Sequence, residues 1–195
     1  MKKIIFILTI LSLNPVFSSE LNENDRPIEK WYYQITIGTQ YQKYIGDINS
    51  TVNRIKKTTN RHQAHGEASL IGFYLPILNN KKSLFGFKYL TGTWDKYNNE
   101  FITIAFFGPS YMHYLDKIGK GIFLYTDLGV SHLVYDDSKI GEEIIDDRGI
   151  GGRVGFGYAL PILDRTSFIV SFHNTTQAFD VGVVNTTSAN IGFLW

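Results

Sequence analysis

Apolar and polar residues alternate in eight segments of the chain, each about ten residues long or slightly longer. The clearest is segment 31–41, in which aromatic and aliphatic residues occupy nearly every second position and Gln, Thr and Gly lie between them. The last segment, certain from Thr186, alternates in the same way and places Ile191, Phe193 and Trp195 on one face. A period of two predicts β-strands with one apolar face. Tilted strands of this length are long enough to cross a membrane.

The six segments between these two show the same period with different clarity. In the second, strict alternation puts Tyr74 on the outer face, opposite Glu67, but the lower half is apolar on both faces and its parity stays open. In the third, Lys88 and Gly92 are predicted to face inward. The fourth is apolar throughout its first half, so its faces stay open. The bounds of the six segments are 64–78, 83–93, 101–114, 121–131, 150–160 and 167–174.

The connections between the segments alternate in length. Long or moderate links at 44–62, 94–100, 132–149 and 175–180 alternate with tight links at 79–82, 115–120 and 161–166. Outer-membrane barrels have short turns on the periplasmic side and longer loops outside, and single-chain bacterial barrels have an even number of strands. The sequence therefore predicts an all-β fold, an eight-stranded antiparallel up-and-down transmembrane β-barrel with both termini periplasmic.

The N-terminus predicts export. Two lysines precede the apolar run 4–13, which is followed by small residues near Ser18, a pattern typical of a cleaved secretory signal. A run of ten residues is well below the roughly 20 that a membrane-spanning helix needs. We therefore predict a signal peptide at 1–18, a short periplasmic segment at 19–30 and the barrel domain at 31–195.

Composition narrows the function classes. The chain has no cysteine, which excludes disulfides and thiol chemistry, and its net charge of +1 becomes −1 without residues 1–18. This balance argues against a nucleic-acid partner. The 12 Tyr, 14 Phe, 3 Trp and 18 Gly suit the aromatic girdles and close strand packing of a membrane barrel, although composition alone also allows a soluble β-sandwich. The sequence predicts no metal site and no cofactor.

Four charged residues fall on the predicted inner faces of the strands. They are two acids and two bases, Glu67, Asp127, Lys88 and Arg153. Burying any of them without a partner costs several kcal/mol, so mutual pairing or trapped water is expected. Because an eight-stranded barrel is barely wide enough for its own side chains, we expect this lumen charge network to plug the lumen, and a charged gate in a narrow channel is the alternative.

The two longest outer connections carry opposite charge. Basic residues dominate 44–61 and acidic residues dominate 132–149. The two regions are expected to be solvated loops that can pair with each other. The alternatives are that the basic loop contacts lipopolysaccharide phosphates and that the acidic loop recruits divalent cations or a partner, so an unknown extracellular ligand at these loops stays open.

His173 and Thr175 are the candidate catalytic pair. Residues i and i+2 share a strand face, and a histidine base beside a hydroxyl nucleophile can attack an ester when an acid orients the imidazole. The spacing resembles that of outer-membrane lipid A 3-O-deacylases, whose pattern is His-x-Ser-Asn followed by a downstream Glu. Here Thr175 replaces the Ser, Thr176 replaces the Asn, and Asp180 is the only later acid.

Nearly all of the chain after the signal resembles the small outer-membrane β-barrel proteins, often described as porin-like, including the eight-stranded barrels of the OmpA and OmpX kind. This resemblance implies export by a general secretory translocon and a location among outer-membrane lipids and lipopolysaccharide. It also implies insertion by the barrel assembly machinery, which reads the C-terminal strand with Ile191, Phe193 and Trp195. The residues that carry the resemblance are 107–111, 121–125, 127–130, 151–158 and 191–195.

The sequence leads to a structural or surface-interaction barrel of the bacterial outer membrane that is not an enzyme. The alternatives are a lipid A deacylase-like esterase that uses His173, a small-solute porin and a soluble ligand-carrying barrel. A soluble barrel would turn its aromatic faces inward, which separates it from the others.

Overall fold

The computed structural model of the chain describes residues 31–59, 62–77, 81–97, 100–137 and 142–195. The predicted signal peptide at 1–18 and the predicted segment at 19–30 lie outside the described residues.

The described chain forms a closed barrel of eight strands in which each strand pairs with its neighbours in sequence and β1 pairs with β8. All of these pairs are antiparallel. The predicted all-β, eight-stranded up-and-down barrel is therefore confirmed. The strands are β1 (Tyr32–Ile45), β2 (His62–Ile77), β3 (Ser83–Tyr97), β4 (Glu100–Tyr114), β5 (Gly121–Asp137), β6 (Glu142–Leu163), β7 (Thr166–Phe179) and β8 (Gly182–Leu194).

One helix, α1 (Asp47–Thr59), comes directly after β1. Gly46 has a φ of 91°, a conformation that favours glycine, and it turns the chain from the strand into the helix. The Ile48 backbone N–H then donates to the Val181 carbonyl oxygen at 3.0 Å. This bond ties the start of α1 to the connection between β7 and β8, so the helix lies over one end of the barrel. Within the described part of the chain, no helix is long and apolar enough to cross a membrane.

The side chains of the wall alternate between the interior and the exterior. On β8, the side chains of Thr187, Ile191 and Phe193 face outward, whereas those of Ser188 and Asn190 are buried inside. The faces predicted for β5, β6 and β7 agree in the same way. The open faces of β4 are settled by burial, which places the even-numbered residues Ile102 to Tyr114 inside.

Two residues face the side opposite to the one that strict alternation gives, and a β-bulge in each of the two strands explains this. The pairing of β1 with β2 shifts between Gln34 and Thr36, and the pairing of β3 with β4 shifts between Lys88 and Thr91. A bulge adds one residue to a strand and so reverses the alternation beyond it. Tyr74 is therefore fully buried inside, whereas strict alternation from Glu67 would place it outside. Gly92 lies between the buried, inward-facing Thr91 and Thr93 and therefore faces outward.

The outer connections differ from those predicted. The acidic range 132–149 is largely strand, because β5 continues to Asp137 and β6 starts at Glu142. The basic range 44–61 contains α1. The moderate links also shorten, since β3 ends at Tyr97, β4 starts at Glu100 and only two residues separate β7 from β8. The strands are thus longer than their predicted segments, and they continue where alternation of polar and apolar residues has ceased.

Apolar side chains fill the two ends of the lumen. At the end with the short connections, which we call the turn end, they form a floor that includes Tyr74, Leu84, Met112, Tyr114, Phe123 and Leu194. At the opposite end, which we call the helix end, they form a roof that includes Tyr44, Ile48, Val52, Ile55, Leu133 and Val184. Polar and charged side chains lie between the floor and the roof.

Candidate functional site

The four charged residues predicted for the lumen meet in one layer between the floor and the roof, which we call the charged layer. Each side chain is at most 5% exposed. Lys88 Nζ on β3 donates to Asp127 Oδ2 on β5 at 3.0 Å. Arg153 on β6 places Nη2 at 3.0 Å from Glu67 Oε1 and Nη1 at 3.6 Å from Asp127 Oδ2. Arg153 therefore lies between the two acids, and the charges of the four side chains balance.

Uncharged side chains provide further hydrogen bonds and a ring contact to the charged layer. The Ser110 hydroxyl donates to Asp127 Oδ1 at 2.5 Å, and the Tyr74 hydroxyl lies 3.0 Å from Ser110 Oγ. Lys88 Nζ lies 4.6 Å from the centre of the Tyr125 ring, within reach of a cation–π interaction. The sequence reasoning missed Ser110 because the faces of β4 were open. It missed Tyr74 because the bulge reverses its face.

His173 also belongs to the charged layer. Its Nε2 lies 3.0 Å from Glu67 Oε2, and its Nδ1 lies 2.7 Å from the Tyr125 hydroxyl. Thr175 faces inward as predicted, but its Oγ1 accepts a hydrogen bond from Arg153 Nε at 3.1 Å. Both ring nitrogens of His173 thus contact residues other than Thr175, and both side chains are buried inside the barrel. An ester in a membrane would approach from the opposite side of the wall.

Helix α1 supplies the side chains at the centre of the roof. Ile48, Val52 and Ile55 are each at most 2% exposed and pack with inward residues of the strand ends. Their spacing of four and three residues places them on one helical face. This spacing is visible in the sequence, but we assigned the range 44–61 to a solvated loop because of its charged residues. The opposite face of α1 exposes Arg54 and Lys57.

The predicted acidic range 132–149 divides its described side chains between two faces. Asp147 faces inward and accepts a hydrogen bond from the Val181 backbone N–H at 3.0 Å. Asp146 is exposed and lies 2.5 Å from His132 Nε2. No group of three or more acidic, histidine or cysteine side chains among the described residues is arranged to hold a metal ion. Other charged residues of the two outer ranges have no described side chain, namely Lys56, Arg61, Asp136, Asp137, Lys139, Glu142 and Glu143.

The three residues proposed as the assembly signal lie on the outer face of β8. Ile191, Phe193 and Trp195 are all exposed. The Phe193 ring packs edge-on against Phe168 of β7, and the Trp195 ring contacts Tyr33 on the β1 side. The strand thus closes the barrel and adds aromatic surface at the turn end, while a role of these residues in assembly stays a prediction.

Comparison with solved structures supports the fold. The chain is similar to the crystal structure of Neisserial surface protein A, with a TM-score of 0.56 and 12% identity, over 85% of this chain and 96% of that chain. It is also similar to Ail, the attachment invasion locus protein of Yersinia pestis, with a TM-score of 0.55 and 10% identity, over 86% of this chain and 100% of that chain. A second structure of Ail, in complex with the heparin analogue sucrose octasulfate, gives a TM-score of 0.52 and 11% identity, over 86% of this chain and 100% of that chain.

The sequence matches no protein-family model and no curated protein. The structural likeness nevertheless confirms the expected resemblance at the level of fold. The fold of the chain is that of the small eight-stranded outer-membrane β-barrel proteins.

Proposed function

We propose that this chain is a bacterial outer-membrane β-barrel protein with a structural or surface-interaction role and a lumen plugged by its own side chains. The observation that carries the proposal is the buried ion-pair layer around Arg153, which lies between an apolar floor and an apolar roof.

The exterior of the wall supports a location in lipid. Large apolar side chains are exposed on every strand, and several form aromatic pairs there, such as Phe87 with Phe107 and Phe156 with Phe172. A barrel in water would leave this surface unfavourably hydrated, whereas a membrane barrel requires an apolar outer band flanked by aromatic residues. The arrangement is the reverse of that expected for a soluble ligand-carrying barrel.

The topology supports an orientation with both termini in the periplasm. Trp31 and Trp195 lie at the turn end with the short connections, and α1 and the β5–β6 hairpin lie at the opposite end. Short turns face the periplasm in barrels of this class. The helix end would then face the outside, where α1 and the outer strand ends are available to lipopolysaccharide or to an extracellular partner.

The layered interior supports a plug. Arg153, Glu67, Asp127 and Lys88 compensate one another within a few ångströms, so the barrel can bury them without a water-filled channel. The floor and the roof add apolar side chains above and below. A structural barrel needs no permeant solute, and its contacts with other molecules would be made by the exterior and the helix end.

Two measurements test the proposal, the first on the membrane fraction and the second on purified protein. The folded barrel should resist extraction without detergent and should migrate differently on a gel before and after boiling, whereas extraction as a soluble protein would overturn the membrane assignment. In planar lipid bilayers it should show little or no steady conductance, and a large stable pore would overturn the plug. As a matched comparison, Ile55→Ala in the roof should leave conductance low, because the charged layer is unchanged.

A further inference from the structure

Polar side chains cluster on the outer faces of β7, β8 and β1, within a wall whose exterior is otherwise mostly apolar. Here Asn174 and Thr176 of β7 lie beside Thr187 and Asn185 of β8, to which they are directly paired in register. The Thr187 hydroxyl donates to Asn174 Oδ1 at 2.6 Å, and the Thr176 hydroxyl donates to Asn185 Oδ1 at 2.9 Å. We call these four residues the polar ladder.

The polar ladder lies within the apolar band. Residues paired directly across antiparallel strands face the same side, so the outward residues form rows around the barrel. The row on the helix side of the ladder contains Ile45, Val183, Ala178 and Ile150, of which Ile45 is 44% and Ile150 is 71% exposed. On the turn side, Ile191 and Phe172 are again exposed and apolar. Apolar surface therefore continues on both sides of the ladder.

The ladder leaves hydrogen-bonding capacity in this apolar surface. Each Asn uses its carboxamide oxygen as an acceptor, and within the described residues neither carboxamide N–H₂ group donates a hydrogen bond. Polar groups without partners are costly in hydrocarbon. A ligand that brings acceptors for these N–H groups would remove that cost.

The neighbouring strand adds a positive charge to the ladder. Lys43 of β1 is exposed and is paired directly with Asn185, so an ammonium group is available next to the row formed by Asn185 and Thr176. The surface thus combines a cation with amide donors and hydroxyl groups that can both donate and accept. This set complements a phosphate group together with amide or hydroxyl groups near the start of acyl chains.

We propose that the polar ladder and Lys43 bind a phosphorylated lipid of the outer leaflet whose acyl chains are attached through amide linkages and carry hydroxyl groups, as in lipid A. Such a lipid offers carbonyl acceptors to the two Asn side chains and donors to their neighbouring oxygens. A glycerophospholipid offers acceptors but no matching donors in its linkage region. The proposal rests on the proposed location of the barrel in the outer membrane.

Native mass spectrometry of the folded, detergent-solubilised barrel tests the site. Wild-type protein is titrated with lipid A or, separately, with phosphatidylglycerol, and the bound fraction is compared with that of the double variant Asn174→Val, Asn185→Val. We expect wild type to prefer lipid A, and we expect the double variant to lose about fivefold in lipid A binding. Thr103→Val, an outward-facing exposed position on β4, is the matched control and should bind as wild type does.

Folding of the variants is checked by the shift in gel mobility on boiling. Valine suits both a strand and a lipid-facing position, so the double variant should keep this shift and unfold at the same or a higher urea concentration. Single replacements Asn174→Thr and Asn185→Thr exchange the carboxamide for a hydroxyl and a methyl group. They remove the amide N–H donors but keep a polar side chain, and they provide a second series with an intermediate loss. Three results would each overturn the proposed lipid site. The first is equal lipid A binding by wild type and the double variant, and the second is an equal loss of binding in Thr103→Val. The third is that wild type does not prefer lipid A over phosphatidylglycerol. In all three cases, a protein that still folds as a detergent-dependent barrel leaves the proposed function standing.

Discussion

The charged layer and the roof occupy neighbouring levels of the same lumen, but they are held in different ways. The charged side chains project from strands whose backbones pair on both sides around the closed wall. The centre of the roof is held by three apolar side chains of α1, a helix whose start is joined to the wall through Gly46 and a backbone hydrogen bond to Val181. We therefore expect a charged side chain to stay in its layer while the wall is intact, and we expect the helix to be able to undock without breaking a strand pair.

The two layers also differ in the cost of losing one member. Truncating a buried apolar side chain costs the free energy that its burial contributes to folding. A buried ion pair that loses one partner costs more, because the remaining charge stays in a place with little water. We therefore expect substitutions in the charged layer to affect folding of the whole barrel and substitutions in the roof to act locally.

Replacing Arg153 should have the largest effect. Arg153→Met leaves Glu67 and Asp127 without their shared cation and should lower the free energy of unfolding by about 3–5 kcal/mol. Urea unfolding of the barrel in lipid vesicles, followed by tryptophan fluorescence, measures this change. The control is Arg148→Met on the same strand, since the exposed Arg148 should change stability by no more than about 0.5 kcal/mol. Equal effects of the two substitutions would remove the distinction between the charged layer and the surface.

Charge balance within the layer can be separated from loss of packing by a double-mutant cycle on Lys88 and Asp127. Lys88→Met alone leaves two acids with one arginine and should cost about 3 kcal/mol. Adding Asp127→Asn restores a balanced pair of Glu67 and Arg153, so the double variant should recover most of that loss. The same unfolding measurement on all four proteins gives the coupling energy. A double variant that loses the sum of the two single losses would show that packing, and not charge, determines the stability of this layer.

In the roof, Ile55→Ala should weaken the docking of α1 by about 2 kcal/mol. Because the helix can undock while the wall stays closed, we expect faster proteolysis within 47–59 and an almost unchanged urea midpoint for the strands. Asn53→Ala on the exposed face of the same helix is the control and should leave the proteolysis rate unchanged. If Ile55→Ala instead shifted the midpoint of the whole barrel as far as Lys88→Met does, the roof would be part of the same cooperative unit as the wall.

The part of this comparison that is visible in the sequence is the set of four charged residues in the charged layer. Glu67, Lys88, Asp127 and Arg153 each lie at a polar position in an alternating strand, and alternation alone places them on the inner face. Their distances depend on the register between strands, which the pattern within one strand does not contain. Ser110 lies on a strand whose apolar residues occupy both faces, so alternation does not assign it.

The roof and the bulge lie beyond what alternation can predict. Ile48, Val52 and Ile55 form only one short apolar stripe among polar and charged residues, and such a helix is stabilised mainly by the tertiary packing of that stripe. The bulge that turns Tyr74 inward and the bulge that turns Gly92 outward arise between paired strands. No glycine or proline marks them at residues 70–71 and 89–90, respectively. The strand extensions to Asp137 and from Glu142 likewise depend on pairing with a partner, because their sequence is too charged to show a period of two.

Breaking the exposed pair of His132 and Asp146 should have the smallest effect on stability. This pair shows how little an ion pair contributes when it lies at the surface. Its atoms are 2.5 Å apart, closer than the 3.0 Å of the ion pairs in the charged layer, but the two side chains are 45% and 54% exposed. Water solvates whichever group is left when the other is removed, so Asp146→Asn should change the free energy of unfolding by less than about 1 kcal/mol.

The matched substitution inside the barrel is Asp127→Asn, which changes the same atoms in a residue with no exposed side chain. Urea unfolding of the two variants at low and high salt compares them directly, because salt screens the exposed pair much more than the buried one. A loss from Asp146→Asn as large as that from Asp127→Asn would mean that the outer strand ends, and not the centre of the lumen, hold the barrel together through charge.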